Sequence, residues 1–249
     1  MKNFSIILST VAIILAAVAI VSTCKCKAPV APAATGGVTA EQIAEVFKQN
    51  PKLIVEAQQA YAQIQREEAE KAALARLQAH AAEVNSDEDL PFVGPKDAKV
   101  TIVEFFDFSC GYCKKLAPAM EKIIADNPDV KVIFKPVAFV SPKMSPYQAK
   151  AGIAANKQGK FLEFYSKVMN FKSGPMTEEN INDIAKEIGV DMEQFTKDLE
   201  SADTQKALDK VANLTRAIQV NGVPMVFVNL KHVSTLTPEP IQEAINAAK

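Results

Sequence analysis

Two cysteines separated by two residues stand where an apolar run gives way to a helical pattern. Residues 100–106 are apolar enough for a buried strand, and residues 110–113 (Cys-Gly-Tyr-Cys) open a segment with helical spacing. A C-x-x-C pair at a strand-to-helix junction is typical of a redox site. The unpaired N–H groups and partial positive charge of a helix start stabilise a thiolate on the first cysteine. We therefore expect Cys110 and Cys113 to make, break or shuffle disulfide bonds.

A structural zinc site is one alternative interpretation of this pair. Such a site needs about four Cys or His ligands, and the other candidates are Cys24, Cys26, His80 and His232, without an H-x3–5-H pair. An inert buried pair is a second alternative. Residues 24–26 (Cys-Lys-Cys) carry the soft ligands that Cu(I) prefers, or are two incidental thiols. We expect no metal at the redox pair and no cofactor.

The start of the chain predicts export from the cytoplasm. Residues 4–23 are uncharged and rich in Ile, Val, Leu and Ala. About 20 apolar residues span a bilayer, whereas the apolar core of a signal peptide has about 7–15. We expect residues 1–23 to anchor the protein to the cytoplasmic membrane on its periplasmic side, with a cleaved signal peptide or a lipoprotein modified at Cys24 as alternatives. Disulfides persist in that compartment.

Charge and composition exclude a basic nucleic-acid-binding protein. The chain has 28 basic and 29 acidic residues and a net charge of -1. Nucleic-acid binding is expected to leave a basic footprint, and this balance provides none. We therefore predict no nucleic-acid partner.

A linker and a helical segment precede the catalytic domain. Residues 24–38 are rich in small residues, Pro and Gly, as in a flexible linker. Residues 39–86 begin with a capping box (Thr39 and Gln42) that starts a first helix, and Asn50-Pro51 caps a second, long helix with a narrow apolar stripe from Pro51 to about Val84. We expect the Ala40–Val84 helices to form a homo-oligomer, with packing on the catalytic domain or a simple spacer as alternatives.

Residues 92–249 show the pattern of an α/β domain with a helical insertion at about residues 145–218. Helices are predicted at Cys113–Asn127 and Glu239–Ala248. Strands are predicted at Lys99–Phe106, Val130–Phe134, Met225–Asn229 and His232–Ser234.

The same residues resemble the DsbA-like branch of the thioredoxin-fold superfamily. The resemblance rests on residues 103–108 (Val-Glu-Phe-Phe-Asp-Phe) before the cysteines and on Gly-Val-Pro at residues 222–224. It implies a thioredoxin fold with an inserted helical subdomain, preceded here by the long helical segment and the hydrophobic anchor or signal. It also implies that Pro224 is cis and faces the disulfide. Val223 would then offer main-chain hydrogen bonds to an extended substrate.

The resemblance further implies a role for each residue of the pair and its surroundings. Cys110 would exchange with substrate thiols from an exposed position, and Cys113 would resolve the mixed disulfide. Glu104 would lie buried beneath the pair and assist proton transfer, the alternative being an ordinary solvent-facing glutamate. Residues expected to tune access and redox potential are Gly111, Tyr112 and Pro118, and those expected to form an apolar rim are Phe108 and Met225.

The helical segment is similar to that of ScsC-type proteins, through residues 50–57 (Asn-Pro-Lys-Leu-Ile-Val-Glu-Ala). Two markers disagree on the reaction, because Val223 is the oxidase-like residue while Gly111-Tyr112 is the spacer of periplasmic isomerases. We expect a thiol–disulfide oxidoreductase that forms disulfides in secreted proteins. The alternatives are an oligomeric isomerase or reductase of the ScsC type, and a non-enzymatic chaperone or copper-binding protein. The expected partners are unfolded or misfolded secreted proteins and a membrane redox protein.

Overall fold

A computed structural model describes residues 39–249 of the protein. The predicted anchor, the linker and the Cys-Lys-Cys motif lie outside these residues. Within them, none of the helices combines the length and the hydropathy that a membrane span requires. The chain divides into two compact units, one ending at Tyr61 and the other running from Ala62 to Lys249.

The described residues form five strands and ten helices. The strands are β1 (Phe92–Val93), β2 (Thr101–Phe106), β3 (Lys131–Pro136), β4 (Met225–Val228) and β5 (Lys231–Val233). The helices are α1 (Ala40–Gln49), α2 (Lys52–Ala79), α3 (Ala81–Val84), α4 (Gly111–Asp126), α5 (Met144–Lys157), α6 (Phe161–Met169), α7 (Glu178–Glu187), α8 (Met192–Glu200), α9 (Ala202–Ala217) and α10 (Pro238–Ala248).

The strands form one mixed sheet in the order β1-β3-β2-β4-β5. Strand β2 is central; it pairs in parallel with β3 and antiparallel with β4. Helix α4 connects the two parallel strands, and helices α5–α9 are inserted between β3 and β4. This confirms the predicted thioredoxin fold with a helical insertion. The two-residue strand β1, which pairs with β3, was not predicted.

Alternation along β2 divides the core between the two faces of the sheet. Val103 and Phe105 point to one face and join a cluster with residues of α9. Ile102 and Phe106 point to the other face, where they pack under α4 and the inserted helices. Because side chains on a strand alternate, Glu104 lies on the same face as Ile102 and Phe106. A carboxyl group is thereby placed in an apolar layer.

The helical segment begins as predicted. The Thr39 side chain accepts a hydrogen bond from the Gln42 N–H at 3.3 Å, and the Gln42 side chain accepts one from the Thr39 N–H at 2.9 Å. This is a complete capping box, which satisfies otherwise unpaired N–H groups at the start of α1. Helix α2 ends at Ala79 rather than continuing to Val84, and the chain turns at His80 before the short helix α3.

Exposure differs along the predicted oligomerisation segment. Eight of its large apolar side chains are exposed: Ile43, Val46, Phe47, Leu53, Ile54, Val55, Tyr61 and Ile64. Near the end of α2, Leu74 is also exposed, but Leu77 is only 6% exposed and Val84 is fully buried, and both belong to the core beside β2 and β3. The predicted alternative of packing on the catalytic domain therefore holds for Leu77 and Val84.

A buried lysine attaches α3 to the sheet. Lys135 of β3 is 1% exposed, and its amine donates hydrogen bonds to the carbonyls of Glu83 at 3.1 Å and Ser86 at 2.8 Å. Burial lowers the pKa of Lys135 to about 8, against the opposing charges of Asp87 and Glu83. The amine thus satisfies carbonyl groups at the end of a helix, which would otherwise be left unpaired.

Candidate active site

Cys110 lies at the start of helix α4. It is the N-cap residue, in an extended conformation (φ -79°, ψ 121°), and its side chain makes no capping hydrogen bond. The preceding turn is closed by the Cys110 N–H, which donates to the Asp107 carbonyl at 2.9 Å. The sulfur is therefore placed beside the unpaired N–H groups and partial positive charge of the first helical turn, as the sequence predicts.

The two cysteines, both free thiols, differ in exposure. Cys110 is 7% exposed and Cys113, one turn further along α4, is fully buried. Between them Tyr112 is 60% exposed. The prediction of an exposed Cys110 was wrong, because the turn before α4 and the loop at Pro224 enclose this side chain. The order of access still holds, with Cys110 closer to solvent than Cys113.

Burial raises the pKa of the Cys113 thiol strongly. The Asp107 N–H donates to the Cys113 sulfur at 3.5 Å and opposes this rise, while the charges of Cys110 and Glu104 add to it. A thiolate on Cys113 is thus disfavoured unless a proton acceptor lies nearby. Glu104, on strand β2, is the sheet residue whose charge acts on the Cys113 thiol.

The loop before β4 faces Cys110. The Val223–Pro224 peptide bond is cis, as the family resemblance implies. The Cys110 thiol donates a hydrogen bond to the Val223 carbonyl at 3.4 Å. The structure therefore brings Val223 and Pro224 to the redox pair, although more than a hundred residues separate them in sequence.

Glu104 is fully buried beneath α4, which removes the alternative of a solvent-facing glutamate. Burial raises the pKa of Glu104 to about 8, and a hydrogen bond from Tyr165 opposes the rise. The Tyr165 hydroxyl lies 3.4 and 3.3 Å from the two carboxyl oxygens of Glu104. Sequence reasoning missed Tyr165, whose position in an ordinary amphipathic helix gives no signal of this contact.

Asp107 organises the loops around the pair and was also missed as a site residue. Its fully buried carboxylate accepts hydrogen bonds from the Ser109 N–H and the Ser145 hydroxyl, each at 2.8 Å. It also accepts from the N–H groups of Phe139 at 2.8 Å and Val140 at 3.0 Å. One side chain therefore joins the turn before Cys110 to the segment between β3 and α5. The only sequence signal was an acidic residue directly after a buried strand.

The surface beside the pair carries both apolar and polar residues, and its apolar members differ from those predicted. A groove of about 250 Å³ beside Pro224 is lined by the apolar or aromatic residues Tyr112, Val223 and Leu236 and by the polar residues His232, Ser234 and Thr235. Phe139 and Val140 are exposed. Phe108 and Met225 do not form the predicted rim. Phe108 is 1% exposed and packs edge-on against other aromatic rings. Met225 is partly buried and packs against the core cluster that contains Val103 and Phe105.

Of the three tuning residues, two lie at the pair. Gly111 begins α4, and Tyr112 has the Lys115 amine over its ring, 5.1 Å from the ring centroid. Pro118 lies about two turns further along α4 and is exposed. Among residues 39–249, His, Cys, Asp and Glu side chains form no cluster of three suited to a metal ion.

Residues 86–247 match the family model described as Thioredoxin. Because the match covers more than half of the chain, the protein belongs to the thioredoxin family. The fold, the dithiol at a helix start and the cis proline place it in the DsbA-like branch and in the class of thiol–disulfide oxidoreductases.

Curated relatives are of two kinds. The chain is 35% identical over 149 residues to a probable disulfide bond formation protein D of Bacillus cereus, covering 55% of this chain and 68% of the relative. It is 28% identical over 160 residues to a Na(+)/H(+) antiporter, NhaA 1, of Salinispora arenicola, covering 62% of this chain. It spans only 24% of the antiporter's length.

Solved structures share the fold over most of the chain. BcfH of Salmonella enterica Typhimurium has a TM-score of 0.71 and 26% identity, with 84% of this chain and 93% of the other covered. The catalytic domain of Proteus mirabilis ScsC has a TM-score of 0.62 and 25% identity, with 70% and 97% covered. These similarities agree with the DsbA-like and ScsC-type resemblance of the sequence.

Proposed function

We propose that this protein catalyses disulfide formation in secreted proteins outside the cytoplasm, through Cys110 and Cys113. The observation that carries the proposal is the placement of Cys110 at the start of α4, facing the Val223 carbonyl beside a cis proline. The similarity to disulfide bond formation protein D supports the same direction of reaction. Periplasmic location and a membrane anchor at residues 1–23 remain part of this proposal.

The proposed reaction is a thiol–disulfide exchange in two steps. A substrate thiolate attacks Cys110 Sγ of the oxidised pair, forming a mixed disulfide and releasing Cys113 as a thiolate, which takes up a proton. A second substrate thiolate then attacks the substrate sulfur of the mixed disulfide and releases Cys110. The substrate loses two electrons as its disulfide forms, and the enzyme gains them as a dithiol. A membrane redox partner would reoxidise the pair.

The groove beside Pro224 is the proposed substrate site. Tyr112 and Leu236 offer exposed apolar surface there, and the main chain at Val223 lies within hydrogen-bond reach of Cys110. An unfolded polypeptide presents apolar side chains and unpaired main-chain groups together. Such a surface therefore accepts many substrates without selecting a single sequence.

The equilibrium redox potential of the pair tests this proposal. A soluble form comprising residues 40–249 would be equilibrated with glutathione buffers, and the oxidised fraction measured by thiol labelling. A potential near about -120 mV supports an oxidase, and a value of about -200 mV or below overturns that direction in favour of an isomerase or reductase. Failure to exchange with glutathione would contradict both, and would leave the chaperone or copper-binding alternative.

An oligomeric isomerase is the second candidate, favoured by the exposed apolar side chains of α1 and the first part of α2. Several active sites on one oligomer could act on a single misfolded substrate.

Removing residues 39–61 discriminates the two functions, because this deletion leaves Leu77 and Val84 to complete the core. Isomerase activity on a scrambled protein should fall and oxidase activity on a reduced one should survive. Sedimentation velocity of both forms would report whether self-association is lost.

A further inference from the structure

Tyr165 lies directly above the buried acid of the active site. Its hydroxyl approaches both carboxyl oxygens of Glu104, at 3.4 and 3.3 Å, and both side chains are fully buried. Tyr165 belongs to α6, in the helical insertion, whereas Glu104 belongs to the central strand. The inserted helices thus contribute a polar group to the catalytic dithiol region.

Aromatic packing fixes the Tyr165 hydroxyl in this place. The ring centroid of Tyr165 lies 5.3 Å from that of Phe106, 5.1 Å from that of Phe134 and 5.8 Å from that of Phe161. Rings from two strands and from the start of α6 therefore enclose it. Since this packing leaves the ring in one position, replacing Tyr165 by Phe removes the hydroxyl and keeps the shape of the core.

The titratable groups around Glu104 are few. On the sheet, its paired neighbours are Phe134 and Val226, which carry no charge. Helix α6 supplies Tyr165, and α4 supplies Cys113. Burial raises the pKa of Tyr165 well above its usual value, and the charges of Glu104, Cys113 and Glu121 add to the rise. The phenol therefore stays neutral, keeps its proton and donates a hydrogen bond to the carboxyl group.

We propose that Tyr165 is a positioning residue of the exchange reaction, which stabilises the ionised form of Glu104, the form that accepts the proton of Cys113. The inference rests on the proposed thiol–disulfide exchange. A hydrogen bond donated to a carboxylate favours the charged form over the neutral acid. In the absence of this donor, a carboxyl group in such an apolar layer would retain its proton to a higher pH, and it would not serve as a base.

The proton transfer has a defined place in the reaction. When Cys113 resolves a mixed disulfide, its thiol proton passes to the Glu104 carboxylate, and its sulfur attacks Cys110 Sγ. The Cys110–Cys113 disulfide forms, and the bound thiol leaves as a thiolate that takes a proton from water. In the opposite direction Cys113 leaves as a thiolate and recovers the proton from Glu104. Tyr165 donates its hydrogen bond throughout and is not consumed.

The test is the pH dependence of mixed-disulfide decay in Tyr165→Phe. Reduced protein would be mixed with oxidised glutathione between pH 6 and pH 10 and quenched with acid. Mass spectrometry would then separate the glutathione adduct at Cys110 from the Cys110–Cys113 disulfide. We expect the midpoint of the decay rate to move to higher pH by about one unit, with an approximately tenfold longer adduct lifetime at neutral pH. Above the midpoint, the variant and the wild type should decay at the same rate.

Two controls separate this inference from a structural effect. Tyr147→Phe removes another tyrosine hydroxyl of the inserted helices, which hydrogen-bonds Asn182 at 3.2 Å, and should leave the profile unchanged. In a Glu104→Gln background, Tyr165→Phe should cause no further shift. A uniform slowing at every pH, or an unchanged midpoint, would overturn the role of Tyr165. If the wild type itself formed no adduct and no disulfide, the proposed function would fail instead.

Discussion

The Cys110 thiol lies 3.4 Å from the Val223 carbonyl and donates a hydrogen bond to it. The contact joins the start of α4 to the loop before β4, and it leaves Cys113 enclosed behind Cys110. Access therefore distinguishes two sulfurs that are only three residues apart. This difference in access supports the proposed roles of attacked and resolving cysteine.

The first prediction concerns trapping of substrates. Cys113→Ser should accumulate mixed disulfides with reduced unfolded proteins, because Cys110 exchanges and no second thiol resolves the product. Cys110→Ser should accumulate almost none, since Cys113 is fully buried. Non-reducing electrophoresis after acid quenching would detect the adducts. Equal trapping by the two variants would contradict the assignment of roles.

The second prediction concerns stability and pH. The folded protein binds the Glu104 proton more tightly than the unfolded chain, since the pKa of Glu104 rises from 4.5 to about 8. Wild-type stability should therefore decrease as the pH rises through this range. Glu104→Gln removes the titration and should stabilise the protein by roughly 3 kcal/mol at pH 7, at about 1.4 kcal/mol per unit of pKa. The gain should disappear near pH 4.

Urea unfolding of both proteins at several pH values would measure this difference. Glutathione exchange, followed in parallel, should be slower in Glu104→Gln near neutral pH because the proton acceptor is lost. A variant that was more stable and equally fast would show that Glu104 is not the proton acceptor. Equal stability of the two proteins at every pH would contradict the raised pKa.

The third prediction concerns Asp107, which accepts four hydrogen bonds. Asp107→Asn turns an NH2 group toward some of these donors, and each lost bond to a buried group costs about 1–3 kcal/mol. We expect a loss of more than about 3 kcal/mol in the free energy of unfolding, together with slower exchange. Asp126→Asn is the matched control, because its pair with Lys122 is exposed and should contribute less than about 1 kcal/mol.

Chemical denaturation would measure the Asp107 and Asp126 variants side by side. The proposed role of Asp107 in holding the loops would be wrong if its variant were as stable as the control. A large destabilisation with unchanged exchange would indicate that Asp107 stabilises the domain without shaping the site.

The sequence predicts the fold well because its signals are local. The apolar run of β2, the C-x-x-C turn and the periodicity of the inserted helices each fall within one or two elements. The predicted strand at residues 130–134 became Lys131–Pro136, a shift of one or two residues. The short pairing of Phe92 and Val93 gives no such signal, since two residues show no periodicity.

The site is harder to predict because its polar contacts join distant parts of the chain. Tyr165 and Glu104 are 61 residues apart, and Asp107 lies 32 residues before Phe139. Both are tertiary contacts between separate segments of the chain, which no pattern within one element can indicate. The family resemblance supplied Val223 and Pro224 through a motif. The family motif does not include Tyr165. An aromatic residue on the apolar face of a helix is equally consistent with an ordinary core residue.

The last prediction concerns two leucines of α2 that are only three residues apart. Leu77 is 6% exposed and Leu74 is 49% exposed. Leu77→Ala should lower the free energy of unfolding by about 2–5 kcal/mol, because it removes buried apolar atoms and leaves a cavity. Leu74→Ala should change it by less than about 0.5 kcal/mol. Because both variants replace leucine by alanine in the same helix, a difference in helix propensity cannot account for the result.

Thermal and urea unfolding of the two leucine variants, at protein concentrations low enough to exclude self-association, would measure these effects. Equal losses would show that the end of α2 does not contribute to the core of the domain. The predicted difference would mean that the two parts of α2 have different roles. Its first part presents an exposed apolar stripe, and its last turn contributes Leu77 to the core of the domain. Any truncation used to separate oxidase from isomerase activity must then stop before Leu77.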